Sequence, residues 1–297
     1  MIKLGDKMKK KKRKVKVKKT SYFLLLGITF LIVILILLGN KKEPVKTLSP
    51  EEEKYQKLDN IQTKIDYFNK NYLDRYLAYK EKNKGLSTTQ IIKDVNMNLD
   101  QEWYQNPSPA KNLNTPLVLV NKYYYLEDNY IPDNLEEIST QYALKGMQLV
   151  KEAKDSFEEL AKEARKEDLK IIAMSTYRSY DYQVNLYNQY VKKDGQKAAD
   201  TYSGRPGHSE HQTGLAVDVY NGVENYTNFE KTEEYQWMQK HAHEYGFIVR
   251  FPKEKEKETG YEFESWHYRY VGKEIASYIK ENNITLEEYI ATKTKDW

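Results

Sequence analysis

The stretch Gly207–Tyr220, GHSEHQTGLAVDVY, places His208, Ser209, Glu210, His211 and Asp218 within fourteen residues of a chain that has five histidines in all. Its second half, LAVDV, reads as a buried strand, and Gly214 just before it permits a bend. His211 and Asp218 are seven residues apart, too far for one helical turn. A bend at Gly214 lets a side chain at Asp218 swing back toward His211. Zinc accepts neutral imidazole nitrogen and carboxylate oxygen, and a catalytic site keeps three protein ligands with one open position. A third ligand must therefore come from elsewhere in the chain.

Working outward, the candidate is His267 in the aromatic segment Tyr261–Gly272, YEFESWHYRYVG. Glu264 lies three residues before it. Strict strand alternation puts these two side chains on opposite faces, so a bend between them is needed for both to reach one metal. With that bend, Glu264 is placed as a general base beside a metal-activated water rather than as a ligand. Trp266 is expected to exclude solvent and lock the neighbouring ring. Each residue singly is more often a packed or surface group, and spacing alone leaves the metal site and chance proximity about equally open. His208 reads as a loop residue shaping a pocket. His241 and His243 fall on different faces of a helical pattern and read as structural.

The surrounding pattern mixes helices and short strands without βαβ regularity, so the expected class is α+β with a small, mainly antiparallel sheet and flanking helices. Apolar spacing suggests a helix from Tyr55 to about Lys82, then a short helix capped at Ser87 or Thr88. NPSPAKNLNTP (106–116) is the clearest boundary. Strands are expected at 117–121, 168–176, 215–220, 247–251 and within 261–271. Helices are expected at 134–166, 180–193, 233–245 and 272–281. The resulting division is a basic tail (1–20), an anchor (21–39), a linker (40–54), a helical prelude (55–112) and a domain from 113 to 297.

Cysteine is absent, which excludes disulfides, thiolate metal sites and a cysteine nucleophile. Tyr22–Gly39, YFLLLGITFLIVILILLG, is eighteen residues without a charge. At about 1.5 Å per residue it reaches roughly 27 Å, close to the thickness of a bilayer core. The NKKEPVK that follows lacks a small-residue cleavage site, so an uncleaved anchor is preferred to a processed signal. Residues 1–20 hold eleven Lys/Arg and one Asp, a local charge of +10. That asymmetry keeps the N-terminus cytoplasmic and sends the remainder across the membrane, as a single-pass protein with an extracellular domain. Subtracting +10 from the formal +4 leaves −6 for the rest, which argues against nucleic acid as a partner.

SEHQTGLAVD (Ser209–Asp218) resembles the S-x-H-x-x-G-x-A-x-D signature of the VanY-type D-alanyl-D-alanine carboxypeptidases, and ESWHYRYVG (Glu264–Gly272) resembles its partner, E-x-x-W-H-x-R-Y-V-G. STYRSYDYQ (Ser175–Gln183) and PLVLVNKYYYLEDNYIPDNL (Pro116–Leu135) resemble the segments that precede these motifs. The likeness covers about residues 113–285, in order. It implies a small zinc-centred α+β domain, shared with L,D-carboxypeptidases, VanX-type dipeptidases and the hedgehog domain. It further implies Zn2+ held by His211, Asp218 and His267, with Glu264 as catalytic base. Arg178 would face the scissile carbonyl or the substrate carboxylate, and Gln183 and Ser209 would hold the peptide's C-terminal end. The implied function is a membrane-anchored, monomeric enzyme hydrolysing the terminal D-alanine of peptidoglycan stem peptides. Alternatives are L,D-carboxypeptidase action on tetrapeptide stems and a non-catalytic zinc-stabilised wall-binding module.

Overall fold

A computed structural model describes residues 26–31, 33–34, 48–60 and 64–294. Two compact units are formed, Met1–Glu53 and Lys54–Trp297. The basic tail and most of segment 21–39 lie outside the described residues. Of that segment, 26–31 and 33–34 are helical with exposed apolar side chains. Among the described residues, no helix is long and apolar enough to cross a membrane.

The second unit begins with α1 (Leu73–Lys82) and α2 (Thr88–Asn96). Ser87 caps α2 by accepting a hydrogen bond from the Gln90 amide, as its sequence position predicts. The single helix expected from Tyr55 is interrupted where Asp59 and Asn60 take left-handed backbone angles of φ 58° and 50°. Leu58, Tyr76, Ile91, Ile92 and Val95 are buried together in a small core of their own. Lys93 and Asn96 tie this region to the last helix, through Glu288 Oε1 at 2.8 Å and the Ala291 carbonyl at 3.1 Å.

The main sheet has four strands, all antiparallel. A hairpin of β1 (Leu135–Glu137) and β2 (Gln148–Val150) stands apart from β3 (Ile172–Ser175), β4 (Ala216–Tyr220), β5 (Phe247–Val249) and β6 (His267–Tyr270), which pair in the order β3-β4-β6-β5. Helix α3 (Lys151–Ala164) presents Ala153, Phe157, Leu160, Ala161 and Ala164 at three- and four-residue spacing, and all five are buried. Its Phe157 meets Phe247 of β5 edge-on, with ring centroids 6.1 Å apart. Helices α4 (Tyr180–Asp194), α5 (Glu233–His241), α6 (Lys273–Asn282) and α7 (Leu286–Lys293) complete the unit, with a seven-residue helix at Gln196–Tyr202.

Two further expectations are corrected. The helix expected over 134–166 begins only at Lys151, because Asn134 (φ 57°) and Gly146 (φ 82°) turn the chain into the β1–β2 hairpin. Residues 117–121 form no strand. Val118, Leu119 and Val120 are buried, but the carbonyls of Pro116 and Val118 accept from the Arg269 guanidinium instead of a neighbouring strand.

Gly214 ends the turn that carries His211 and starts the run into β4. Its φ is +66°, and a Cβ there would lie 2.8 Å from Leu135 Cδ2 and 3.1 Å from Val150 Cγ2. Its carbonyl accepts from the Val150 amide at 2.9 Å. Gly214→Ala is therefore expected to cost about 1–3 kcal/mol, from a strained left-handed backbone together with the contact on the hairpin. Denaturant unfolding of the full chain measures this, and a variant within about 0.5 kcal/mol of wild type would show that the bend relaxes freely.

Candidate metal centre and active site

Strand pairing assembles the centre. In the main sheet Asp218 of β4 lies directly opposite His267 of β6 on one side and Ser175 of β3 on the other. His211 reaches the same point from a single 3-10 turn, Glu210–Thr213, closed by Gly214. One ligand atom from each of His211, Asp218 and His267 lies within 4.8 Å of the others, and all three residues are buried. Glu264 sits just before β6, its amide donating to the Phe251 carbonyl, and β6 begins only at His267. The bend that the alternation argument required is thus present, and Glu264 Oε2 comes to 3.6 Å from His267 Nδ1.

The two imidazoles face the cluster through different atoms. His211 Nδ1 is 2.6 Å from the Thr176 carbonyl, which can only accept, so Nδ1 carries the proton and Nε2 is left facing Asp218 Oδ2 at 3.3 Å. His267 turns Nδ1 toward Asp218 Oδ1 at 3.0 Å. Its ring packs on Phe251 at 4.9 Å and edge-on to His211 at 5.0 Å. Trp266, expected to lock this ring, instead stacks edge-on with Tyr226 and lines the cleft.

Arg178 is held by two acceptors, Ser175 Oγ at 3.0 Å and Asp218 Oδ2 at 2.7 Å, and its amide donates to the His211 carbonyl. Gln183 is buried and donates Nε2 to the Gly204 carbonyl at 2.7 Å, while its Oε1 has no partner. These residues and Ser209 line one cleft of about 600 Å³ together with the three cluster residues and Glu264. His208 also lines it and is held by the Asn121 carbonyl at 2.7 Å. His241 pairs instead with Glu244, and His243 lies in a separate cavity under α5.

Burial and neighbours set the charges. Burial, with the Arg178 guanidinium nearby, lowers the His211 imidazole to about 4, so it is neutral with a free lone pair near pH 7. Burial alone would raise the Asp218 carboxyl, but His211, His267 and Arg178 hold it well below the usual carboxylate range. His267 resists burial because Asp218 and Glu210 raise it to about 9. Burial pushes the Glu264 carboxyl up to about 8, a shift that a cation in the cluster would oppose. Two neutral-capable imidazoles and a carboxylate, with no sulfur, match the donor set of a catalytic zinc site, and the residues present fit that ion.

Sequence reading overlooked what lies behind His267. Glu210, Arg250, Arg269 and Glu287 form a buried ionic group joined by hydrogen bonds of 2.6–2.9 Å. The available signal was an arginine inside each of two apolar strand segments, FIVRF and HYRYV.

Below about pH 9 the His267 ring of the cation-free site holds a proton that a metal ligand must give up. Zinc titrated into chelator-treated protein at about pH 7 is therefore expected to release about one proton from His267, with a further contribution from Glu264. Calorimetry in buffers of different ionisation enthalpy reads this release. It should fade as pH rises through about 9, and pH-independent uptake would contradict the assignment.

The family model described as VanY, D-alanyl-D-alanine carboxypeptidase, matches residues 146–273. A Bacillus subtilis protein named as a carboxypeptidase, YodJ, is 41% identical over 208 residues, covering 68% of this chain and 74% of its own. Among solved structures, the LdcB LD-carboxypeptidase is 41% identical with a TM-score of 0.59, covering 64% of this chain and 92% of its own. A variant of the vancomycin-resistance D,D-pentapeptidase VanY, solved in complex with Zn(II), is 32% identical with a TM-score of 0.52, covering 59% and 98%. Sequence, sheet register and donor set agree: the chain belongs to the VanY-type D-alanyl-D-alanine carboxypeptidase family, whose members are zinc-dependent carboxypeptidases.

Proposed function

We propose that this carboxypeptidase removes the C-terminal D-alanine of peptidoglycan stem peptides, on the outer side of a membrane to which residues 21–39 anchor it. The observation that carries the reading is the meeting of His211, Asp218 and His267 in one cleft with Glu264 and Arg178 beside them. A wall-binding module would need the ligands alone. Here a buried acid and a fixed guanidinium accompany them, and those are the groups hydrolysis requires.

Zinc held by His211, Asp218 and His267 would supply Lewis acidity, polarising a peptide carbonyl and making a water acidic enough to attack near neutral pH. Glu264 takes the proton from that water on a carboxylate oxygen. It then returns the proton to the departing amine of D-alanine, so no covalent intermediate is needed. Arg178 keeps N–H groups for the substrate beyond those given to Ser175 and Asp218, and its fixed fork suits either the carbonyl oxygen or the terminal carboxylate. Gln183 Oε1, buried without a partner, is an acceptor for a substrate N–H. Ser209 lines the same cleft and offers a further polar contact.

The two candidate substrates differ in the residue before the scissile bond. The 41% identity to an L,D-carboxypeptidase, over 92% of that chain, favours the tetrapeptide, with its L-centre at that position. The 32% identity to a D,D-pentapeptidase supports the D,D cleavage expected from the sequence as the second reading. Mass spectrometry of tetrapeptide and pentapeptide digests, with and without chelator, separates them. Loss of D-alanine from neither peptide, or loss that a chelator leaves untouched, would overturn the proposal. Glu264→Gln should retain zinc and lower D-alanine release by about 10²–10⁴-fold, whereas His267→Ala should lose the metal. An alkaline carbonate wash should leave the chain in the membrane fraction, and its release would refute the anchor.

A further inference from the structure

Glu210 lies between Ser209 and His211 and is only 4% exposed. Its two oxygens have different surroundings. Oε1 accepts from Arg250 Nε at 2.8 Å and from Arg269 Nη1 at 2.7 Å. Oε2 is buried with no hydrogen-bond partner and faces His267 Nε2 at 3.6 Å, and that nitrogen is also buried without a partner. The His267 ring therefore stands between two carboxylates, with Nδ1 toward Asp218 and Nε2 toward Glu210.

We propose that Glu210 is a positioning residue: its Oε2 accepts the Nε2–H of His267 and so fixes the ring in the tautomer whose Nδ1 lone pair points into the metal cluster. This rests on the metal-site reading above. A neutral imidazole has one N–H, and whichever nitrogen donates leaves the other as the ligand. Histidine ligands characteristically donate their second nitrogen to a carboxylate or carbonyl, and His211 already does so to Thr176. At 3.6 Å the His267 contact is longer than a formed hydrogen bond. A ring shift of roughly 0.7 Å would close it, and both orphaned atoms would gain a partner.

The rest of the ionic group explains why Glu210 holds its orientation. Arg250 donates Nη1 and Nη2 to the two oxygens of Glu287 on α7, at 2.9 and 2.6 Å, while its Nε holds Glu210. Arg269 adds the second bond to Oε1 and donates its Nε to the Tyr270 carbonyl and its Nη2 to those of Pro116 and Val118. With two donors fixed on Oε1, the direction of Oε2 is set by the guanidinium planes.

The test uses the full-length chain with zinc as the probe. Zinc affinity is measured by competition with a chromophoric chelator for wild type, Glu210→Gln and Glu287→Gln. Each variant removes one buried carboxylate from the same ionic group, but only the first removes the oxygen facing His267. The expected result is a loss of about 10–100-fold for Glu210→Gln, with Glu287→Gln close to wild type. Equal losses in the two variants, or no loss in either, would overturn the proposal. Nitrogen-15 NMR of histidine-labelled, zinc-loaded wild type needs no variant to fold. It should show His267 protonated at Nε2 and metal-shifted at Nδ1, and the reverse pattern would overturn the positioning role alone. Wild type that binds no zinc would instead sink the metal-site reading itself.

Discussion

The structure depends on one register, the pairing of Asp218 with His267 across β4 and β6. Side chains alternate between the faces of a strand, so a slip of one residue would send Asp218 to the opposite face from both imidazoles. On its other side Asp218 pairs with Ser175, after an irregularity between Ala173 and Ser175. The same row of the sheet thus fixes Asp218, His267 and the residue that orients Arg178. Only His211 comes from outside the sheet. Its turn is tied back by the Arg178 amide and the Thr176 carbonyl, both next to the end of β3.

So much buried charge is sustained only because nearly every ion has an opposite neighbour. Removing a carboxylate and a guanidinium from water costs several kcal/mol each, and attraction offsets that loss only with good geometry and saturated hydrogen bonds. Around Glu210 the attraction comes from two arginines and two glutamates in mutual contact, with Oε2 alone left without a hydrogen bond. Around Asp218 it is met by two imidazoles and Arg178. At the cluster Glu264 is the exception: it has burial without a cation in hydrogen-bond contact, and its carboxyl rises accordingly. A group held in that state exchanges a proton near neutral pH, which is the property a general base needs.

The local sequence carried most of the site and part of the fold. The strand at Leu215–Tyr220, the bend at Gly214 and the helix from Tyr180 are signalled by neighbouring residues, and each appears within a residue or two of its expected bounds. The need for a bend between Glu264 and His267 also followed from alternation alone. Segment 134–150 misled because Leu135, Ile138 and Tyr142 mimic helical spacing. The turn-forming angles at Asn134 and Gly146 decide against a helix there. Segment 117–121 misled for another reason, since its burial is apolar but the Val118 carbonyl is claimed by an arginine 151 residues away. The partners within the Glu210–Arg250–Glu287 group were not legible, because its members lie forty and thirty-seven residues apart and no local period reports such a pairing.

The last of those residues has a consequence for the order in which the protein matures. Arg250 and Arg269 bring two positive charges under the metal cluster, and Glu210 alone offsets them until α7 packs. Glu287 on that helix supplies the remaining negative charge. During N-to-C synthesis His211, Asp218 and His267 have therefore all emerged before the last charge that balances this buried group, on residues 286–293, is in place.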